Sequence, residues 1–270
     1  LSLIGEERKE FIMNLLYAQG KVHTLDLAEK LEVSSETVRR YLETLEAENK
    51  LKRVYGGAVQ LEFGREEPSY GSRAVIRLEE KKRIGRAAAS LVQDKEVIIL
   101  DDGTTALQMV EFLTLKRGLT VLTGSIPIMT RLLDYKSKNQ FDGEIIFIGG
   151  RVNAMHSRAS GALSQRFMES MQADKAFIVA DGIHPDKGVT SYDDERGLLA
   201  RTFMKQSNQS VILCDHSKLG AGHFFKIGGF EEFDVVVSDA PYPDAWGEAV
   251  ERSGAQWHVA NGEGSAHGAE

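Results

Sequence analysis

Ser34-Ser35-Glu36-Thr37-Val38-Arg39-Arg40-Tyr41-Leu42 is the stretch on which the fold turns. Val38 and Leu42 stand four apart and Leu45 follows three later, so a helix built from them has one apolar face that must pack inward. Ser34 or Ser35 can cap it, because a short hydroxyl side chain satisfies an N–H left open in the first turn. Ser35, Glu36, Thr37, Arg39, Arg40 and Thr44 are then left outward to varying degrees. Hydroxyls and open N–H groups at a helix start meet phosphates. Arginine can pair bidentately with a guanine edge in the major groove. A helix that reads a duplex needs these residue types in its first two turns.

Toward the N-terminus, Phe11, Ile12, Leu15 and Leu16 predict an earlier helix that ends at Gly20. Thr24 is a candidate N-cap for a second helix carrying Leu27, Ala28 and Leu31 on one face. Toward the C-terminus, Leu51 to Val54, Tyr55-Gly56-Gly57 and Ala58 to Leu61 predict a β-hairpin. Lys50, Lys52 and Arg53 put positive charge on its first strand, where it can neutralise phosphates or reach a minor groove. Three short helices and a hairpin make an α+β winged helix-turn-helix over residues 1–61. Its expected DNA contacts are Ser34, Ser35, Glu36, Thr37, Arg39, Arg40, Lys50, Lys52, Arg53 and Tyr55, with a double-stranded operator as partner.

The net charge of −7 argues by itself against a nucleic-acid binder. Its distribution matters more. Residues 1–60 hold 9 Lys+Arg against 10 Asp+Glu, and the remainder holds 24 against 30. Most of the acidic excess therefore lies outside the predicted head.

Residues 62–78, polar and with Pro68 and Gly71, read as a linker. Helical spacing returns over 79–93. Short apolar runs then alternate with helical stretches: Val97–Leu100, Leu119–Leu122, Ile145–Ile148, Ala176–Val179, Val211–Leu213 and Val235–Val237. Several are β-branched on both faces, as parallel strands covered on each side are. Residues 79–261 are thus an α/β domain with a mostly parallel, Rossmann-like sheet, and 262–270 a disordered tail. The single cysteine, Cys214, excludes an intrachain disulfide and any multi-cysteine metal site. It sits in an apolar run and reads as a buried small side chain. No apolar run can span a bilayer and no signal segment opens the chain, so a cytoplasmic protein without membrane contact is expected.

Several strand ends carry polar, glycine-bearing loops. They are Asp101-Asp102-Gly103-Thr104-Thr105, Thr123-Gly124-Ser125, Gly149-Gly150-Arg151, Ala180-Asp181-Gly182 and the stretch Cys214 to Gly220. Open N–H groups and hydroxyls beside a helix start favour an anion. A tight strand-to-helix turn with Asp as a cap explains the first loop equally well. In an open α/β sheet such ends converge on one crevice. Arg151 and Lys218 can supply positive charge to an anionic effector there.

Glu6 to Val59 resembles the N-terminal domain of the DeoR family of bacterial regulators, on the residues ERKEFIMNLL, AQGKV, LDLAEKLEVSSETVRRYLETLE and LKRVYGGAV. Tyr41 stands where that family usually has Asp, and Tyr55 where a histidine is common. The second half, to about Asp239, resembles the family's sensor domain, related in fold to ribose-phosphate isomerase and glucosamine-phosphate deaminase. The resemblance carries effector roles to Asp101, Gly103, Thr104, Thr105, Thr123, Ser125, Gly149, Gly150, Asp181, Glu195 and Lys218. The family's usual Ser is replaced by Asp102 and its usual Asn by Gly124. The full expected effector set adds Asp102 and Arg151.

The resemblance implies a transcriptional repressor of a sugar-metabolism operon, released by a phosphorylated sugar. As helix-turn-helix proteins commonly pair to match DNA, a homodimer or homotetramer is expected. The linker would pass effector binding on to the heads. The rival class is a sugar-phosphate isomerase or deaminase with an added DNA-binding domain. Those enzymes need a carboxylate poised as base, and Asp181-Gly182 is followed by Ile183-His184-Pro185 rather than by an acidic pair. His156, His184, His216 and His223 are too scattered to argue a metal site. No cofactor, metal or catalytic residue is expected.

Overall fold

The structure is a computed structural model and describes residues 3–48, 50–59 and 67–260. Leu61, residues 62–66 of the expected linker and the expected tail at 262–270 lie outside the described residues. The chain divides into two compact units, Leu1–Arg77 and Leu78–Glu270.

The first unit runs α1 (Leu3–Gln19), β1 (Lys21–His23), α2 (Thr24–Lys30), α3 (Ser35–Ala47), β2 (Lys52–Val54), β3 (Gly57–Val59) and α4 (Tyr70–Val75). Its core is the predicted one in large part: Ile12, Leu16, Leu27, Val38, Leu42, Leu45 and Leu51 are all buried. On α1, Phe11 faces solvent and Met13 takes its place inside. Gly20 does end α1, with positive φ and its N–H on the Leu16 carbonyl at 2.7 Å.

The hairpin is part of a three-stranded antiparallel sheet, in the order β1-β3-β2. Because β1 pairs as far as His23↔Gly57, the strand runs straight into α2. Thr24, expected as the N-cap, is therefore the first helical residue. Its N–H bonds Gly56 O at 2.8 Å, and His23 stands at the cap without a side-chain bond. The two wing glycines have separate reasons. Gly56 turns with φ +79°, whereas a Cβ on Gly57 would stand 1.9 Å from the Val22 carbonyl oxygen. The stretch read as a linker holds α4, capped by Ser69, whose hydroxyl accepts from the Ser72 N–H.

The second unit runs α5 (Leu78–Ser90), β4 (Val97–Leu100), α6 (Met109–Leu113), β5 (Thr120–Thr123), α7 (Ile126–Ser137), β6 (Glu144–Phe147), β7 (Arg151–Asn153), β8 (Arg158–Ser160) and α8 (Ala162–Met168). It continues with β9 (Ala173–Val179), β10 (Gly182–His184), β11 (Gly188–Ser191), α9 (Asp194–Lys205), β12 (Ser207–Cys214), β13 (Phe225–Gly228), β14 (Val235–Ser238), α10 (Gly247–Ser253) and β15 (Gln256–Val259). Seven strands form the main sheet in the order β15-β14-β12-β9-β4-β5-β6, and every neighbouring pair is parallel.

Alternation along the strands feeds two cores. Ile98, Leu100, Val121, Phe177, Val211 and Leu213 pack with α5, α6 and α7. Ile99, Leu122, Ala176, Ile178, Ile212 and Cys214 pack on the other face with α8, α9 and α10. Burying a side chain such as Phe177 stabilises by about 1.5–3 kcal/mol, which is why strands apolar on both faces end up central. All six predicted strands are present; β15 and the small sheets β7-β8 and β10-β11-β13 were not foreseen.

β4 and β9 are neighbours in space. From β4 the chain steps outward through β5 and β6; from β9 it steps the other way through β12, β14 and β15. The strand order reverses between them, and a ligand crevice forms outside the carboxyl ends at such a point. No helix among the described residues is long and apolar enough to cross a membrane.

Candidate functional site

On the first unit, Ser34 is the residue that caps α3. Its hydroxyl accepts from the Thr37 N–H at 3.1 Å and lies 2.9 Å from the Thr37 hydroxyl. With Val38, Leu42 and Leu45 inward, Ser34, Glu36, Arg39 and Arg40 are exposed, and Ser35 and Thr37 half-exposed. The five expected cations differ in how they are held. Arg39 pairs with Glu36 at 3.2 Å, Lys50 with Glu48 at 2.7 Å and Arg53 with Glu43 at 2.8 Å. Arg40 and Lys52 have no carboxylate partner among the described residues, and Tyr55 projects fully exposed from the wing turn. Exposed pairs of this kind contribute about 0–1 kcal/mol, little enough to yield to a phosphate.

One basic residue of this face was missed. Lys21 and Lys52 are both opposite Val59, on either side of β3, so the three side chains share one face of the wing sheet. The adjacent row, Val22, Ala58 and Arg53, carries the buried Val22 and Ala58. Lys21 and Lys52 therefore look outward together. The signal was a long-range pairing that no local pattern carries.

On the second unit, the five loops do meet at the carboxyl ends of β4, β5, β6, β9 and β12. The carboxylates among them, however, are occupied. Arg196, on α9 and 1% exposed, reaches back into the switch point. Its Nη2 donates to Asp101 Oδ2 at 3.0 Å and to the Val179 carbonyl at 2.6 Å. Its Nε donates to Asp102 at 3.0 Å, and its Nη1 to Asp181 at 2.7 Å and to the Ser191 hydroxyl at 3.2 Å. The guanidinium's donors are thus spent inside the protein. Arg158, equally buried, bonds Asp102 at 3.2 Å and pairs with Asp193 at 3.3 Å.

Four carboxylates share these two guanidiniums. Burial, opposed by Arg196 and reinforced by Asp102, raises the pKa of Asp101 to about 7. Asp101, Asp102 and Asp181 thus hold the two halves of the sheet together across the switch point.

The other expected residues are placed differently. Thr104 and Thr105 are buried residues, but their hydroxyls, which make no hydrogen bond among the described residues, are not among the side-chain atoms sealed from solvent. Gly103 packs so close that a Cβ would lie 2.8 Å from Val179. Thr123 donates to the Leu100 carbonyl and accepts from the Ser125 N–H, and Ser125 caps α7. Gly124, where a side-chain ligand was lost, lies against Ala159: a Cβ would stand 2.7 Å from its carbonyl oxygen. Gly149 and Gly150 are exposed, and Ser164 donates to the Gly149 carbonyl. Arg151 is exposed and pairs with Glu195 at 3.5 Å.

Lys218 is half-buried, has no carboxylate partner among the described residues, and acts electrostatically on both Cys214 and His223. Cys214 is buried as expected, and burial raises its thiol far above the ordinary range, leaving it inert.

Arg158 and Arg196 were missed. Arg196 could have been found. Leu199, Ala200 and Phe203 follow it at i+3, i+4 and i+7, so it falls within the apolar stripe of α9. The described residues hold no group of three or more His, Cys, Asp or Glu side chains that could bind a metal.

Residues 8–62 match the family model of the DeoR-like helix-turn-helix domain, and residues 76–240 that of the DeoR C terminal sensor domain. The HTH-type transcriptional repressor GlcR of Bacillus subtilis (strain 168) is 32% identical over 93% of this chain and 95% of its own. The HTH-type transcriptional regulator GolR of Listeria innocua is 31% identical over 86% and 90%. Among solved structures, ribose 5-phosphate isomerase A from Methanocaldococcus jannaschii aligns with a TM-score of 0.37 at 17% identity, covering 53% of this chain and 54% of that one.

Proposed function

Because the chain belongs to the DeoR family of DNA-binding transcriptional regulators, we propose that it represses a sugar-metabolism operon and releases its operator when a phosphorylated sugar enters the switch-point crevice. Its relatives are named as regulators, which sets aside the reading as an isomerase or deaminase. The repressor sense is supported by the name of the Bacillus subtilis relative.

In this reading α3 enters the major groove. Arg39 and Arg40 meet base edges, Glu36 accepts from a cytosine amine, and Ser34, Ser35 and Thr37 hold phosphates. Lys50, Lys52 and Arg53 neutralise the backbone beside the groove while Tyr55 lies at the wing tip. Two or four copies present their heads to paired half-sites.

The observation that carries the effector reading is the loop at the end of β4. The Thr104 and Thr105 hydroxyls there make no hydrogen bond among the described residues and are not among the side-chain atoms sealed from solvent, in the crevice that also receives Lys218, which has no carboxylate partner among the described residues. Thr123 ends β5 and Ser125 follows it, Gly149, Gly150 and Arg151 follow β6, and Glu195 reaches Arg151 from the first turn of α9.

The test is operator binding by the full chain, titrated with phosphorylated sugars and with their unphosphorylated parents. At least one phosphorylated sugar should weaken the operator complex, its parent should not, and Lys218→Ala or Thr104→Val should remove the response while leaving operator affinity unchanged. A full response in both variants would place the effector elsewhere.

A further inference from the structure

His223 lies on the loop between β12 and β13 with its ring fixed on three sides. Its Nε2 is 3.0 Å from the Asp181 carbonyl oxygen, its backbone N–H donates to the Thr190 hydroxyl at 3.1 Å, and its ring stacks on Tyr192 at 3.7 Å between centroids. A carbonyl oxygen only accepts, so Nε2 carries the hydrogen and the neutral ring keeps its lone pair on Nδ1. That Nδ1 has no partner among the described residues, and it is not among the side-chain atoms sealed from solvent. The ring is thus anchored by one nitrogen and open at the other.

The charged groups acting on it are few. Asp181, at the end of β9, has its carboxylate already engaged by Arg196. Lys218 lies on the same loop, without a carboxylate partner among the described residues. The Lys187 side chain passes the neighbouring Gly222, where a Cβ would meet its Cδ at 2.8 Å. Burial holds the pKa of His223 below its ordinary value; Asp181 pulls it back up and Lys218 pushes it further down. Two potential cations on one loop, Lys218 and His223, therefore act on each other, and Asp181, the carboxylate acting on His223, is already engaged by Arg196.

We propose that His223 is a second anion contact of the crevice, taking up a proton when the effector's phosphate settles against Lys218 and then donating from Nδ1 to a phosphate oxygen. This rests on the crevice being the phosphorylated-sugar site. The linkage is reciprocal: an anion that favours the protonated ring binds more tightly at low pH by the factor through which it raises the ring's affinity for the proton.

The probe is inorganic sulfate, whose charge is constant between pH 5.5 and 8. The full chain, labelled at histidine, is titrated by NMR with sulfate and with chloride at matched ionic strength, and His223→Gln assigns the resonance. Sulfate should raise the midpoint of His223 by about one pH unit, which corresponds to about tenfold tighter sulfate binding by the protonated protein. Lys218→Met should remove the rise, and the unchanged spectra of the remaining histidines show that this variant is folded. An unmoved midpoint in the wild type overturns the proposal, and so does a rise that persists in Lys218→Met. Failure here, with operator release by a phosphorylated sugar intact, removes His223 and leaves the crevice reading standing. An operator complex indifferent to every phosphorylated sugar removes the crevice reading and the proposal with it.

Discussion

Arg40 on α3 and Arg196 on α9 are both arginines in amphipathic helices, yet one is exposed with no carboxylate partner among the described residues and the other is 1% exposed and bonded to three aspartates. The recognition head keeps its charges on the outside, where a partner can take them at little cost. The sensor unit closes its strongest charges on each other, and leaves Lys218 without a carboxylate partner among the described residues. A charged residue at a functional site can be the contact itself or the brace that shapes the space around it. Exposure and partner count separate the two.

The largest effect should come from breaking the brace. Arg196→Met leaves Asp101, Asp102 and Asp181 buried without their shared guanidinium, and removing one side of a buried ion pair costs about 3–5 kcal/mol. Urea denaturation should show that loss. A stability within 1 kcal/mol of wild type would mean that the cluster is not what joins the sheet at its switch point.

The converse holds on the head. Arg40→Ala should leave stability unchanged and weaken binding to a selected operator by about 1–3 kcal/mol, since an arginine on a base edge contributes about that much discrimination. Equal affinity of wild type and variant would remove Arg40 from the readout.

A smaller signal lies in the pH dependence of the brace. The pKa of Asp101 rises from 3.8 to about 7 on folding. Below about pH 4 both folded and unfolded chains hold that proton; between there and about 7 only the folded chain does, so this group lowers stability as pH rises through the window. Asp101→Asn should flatten that slope. A slope unchanged by the substitution would assign the raised pKa to another member of the cluster.

What was legible in the sequence follows the same division. The head could be read because its elements are local: Ser34 caps α3 by accepting from the N–H of Thr37, three residues on, and the core stripe Val38, Leu42, Leu45 recurs at helical spacing. The six central strands could be read because burial on both faces forces continuous apolar runs. β15 was missed because Gln256-Trp257-His258-Val259 lies at the sheet's edge and lacks such a run. The aspartates of the crevice were found, but their partners were not. Arg158 and Arg196 lie 56 and 94 residues from Asp102 in the chain, and that pairing exists only once the sheet has formed. Lys21 was hidden for the same reason, since it joins Lys52 only through β3.

Lys21 also supplies the finest test of the comparison. If the head's exposed cations are free for phosphates, each contact made should release a counterion and add about one unit to the slope of log affinity against log salt. Lys52→Ala and Lys21→Ala should each reduce that slope by about one unit, and the double variant by about two, because the two side chains share a face but stand on opposite edges of the wing sheet. Arg151→Ala, on an exposed residue of the sensor unit already paired with Glu195, should leave the slope unchanged. A slope that falls for Lys52→Ala but not for Lys21→Ala would confine the phosphate contact to β2 and leave β1 as structural support alone. A slope that falls for Arg151→Ala would show that the sensor unit touches the duplex as well, and the division of labour between exposed head and inward-facing crevice would no longer hold.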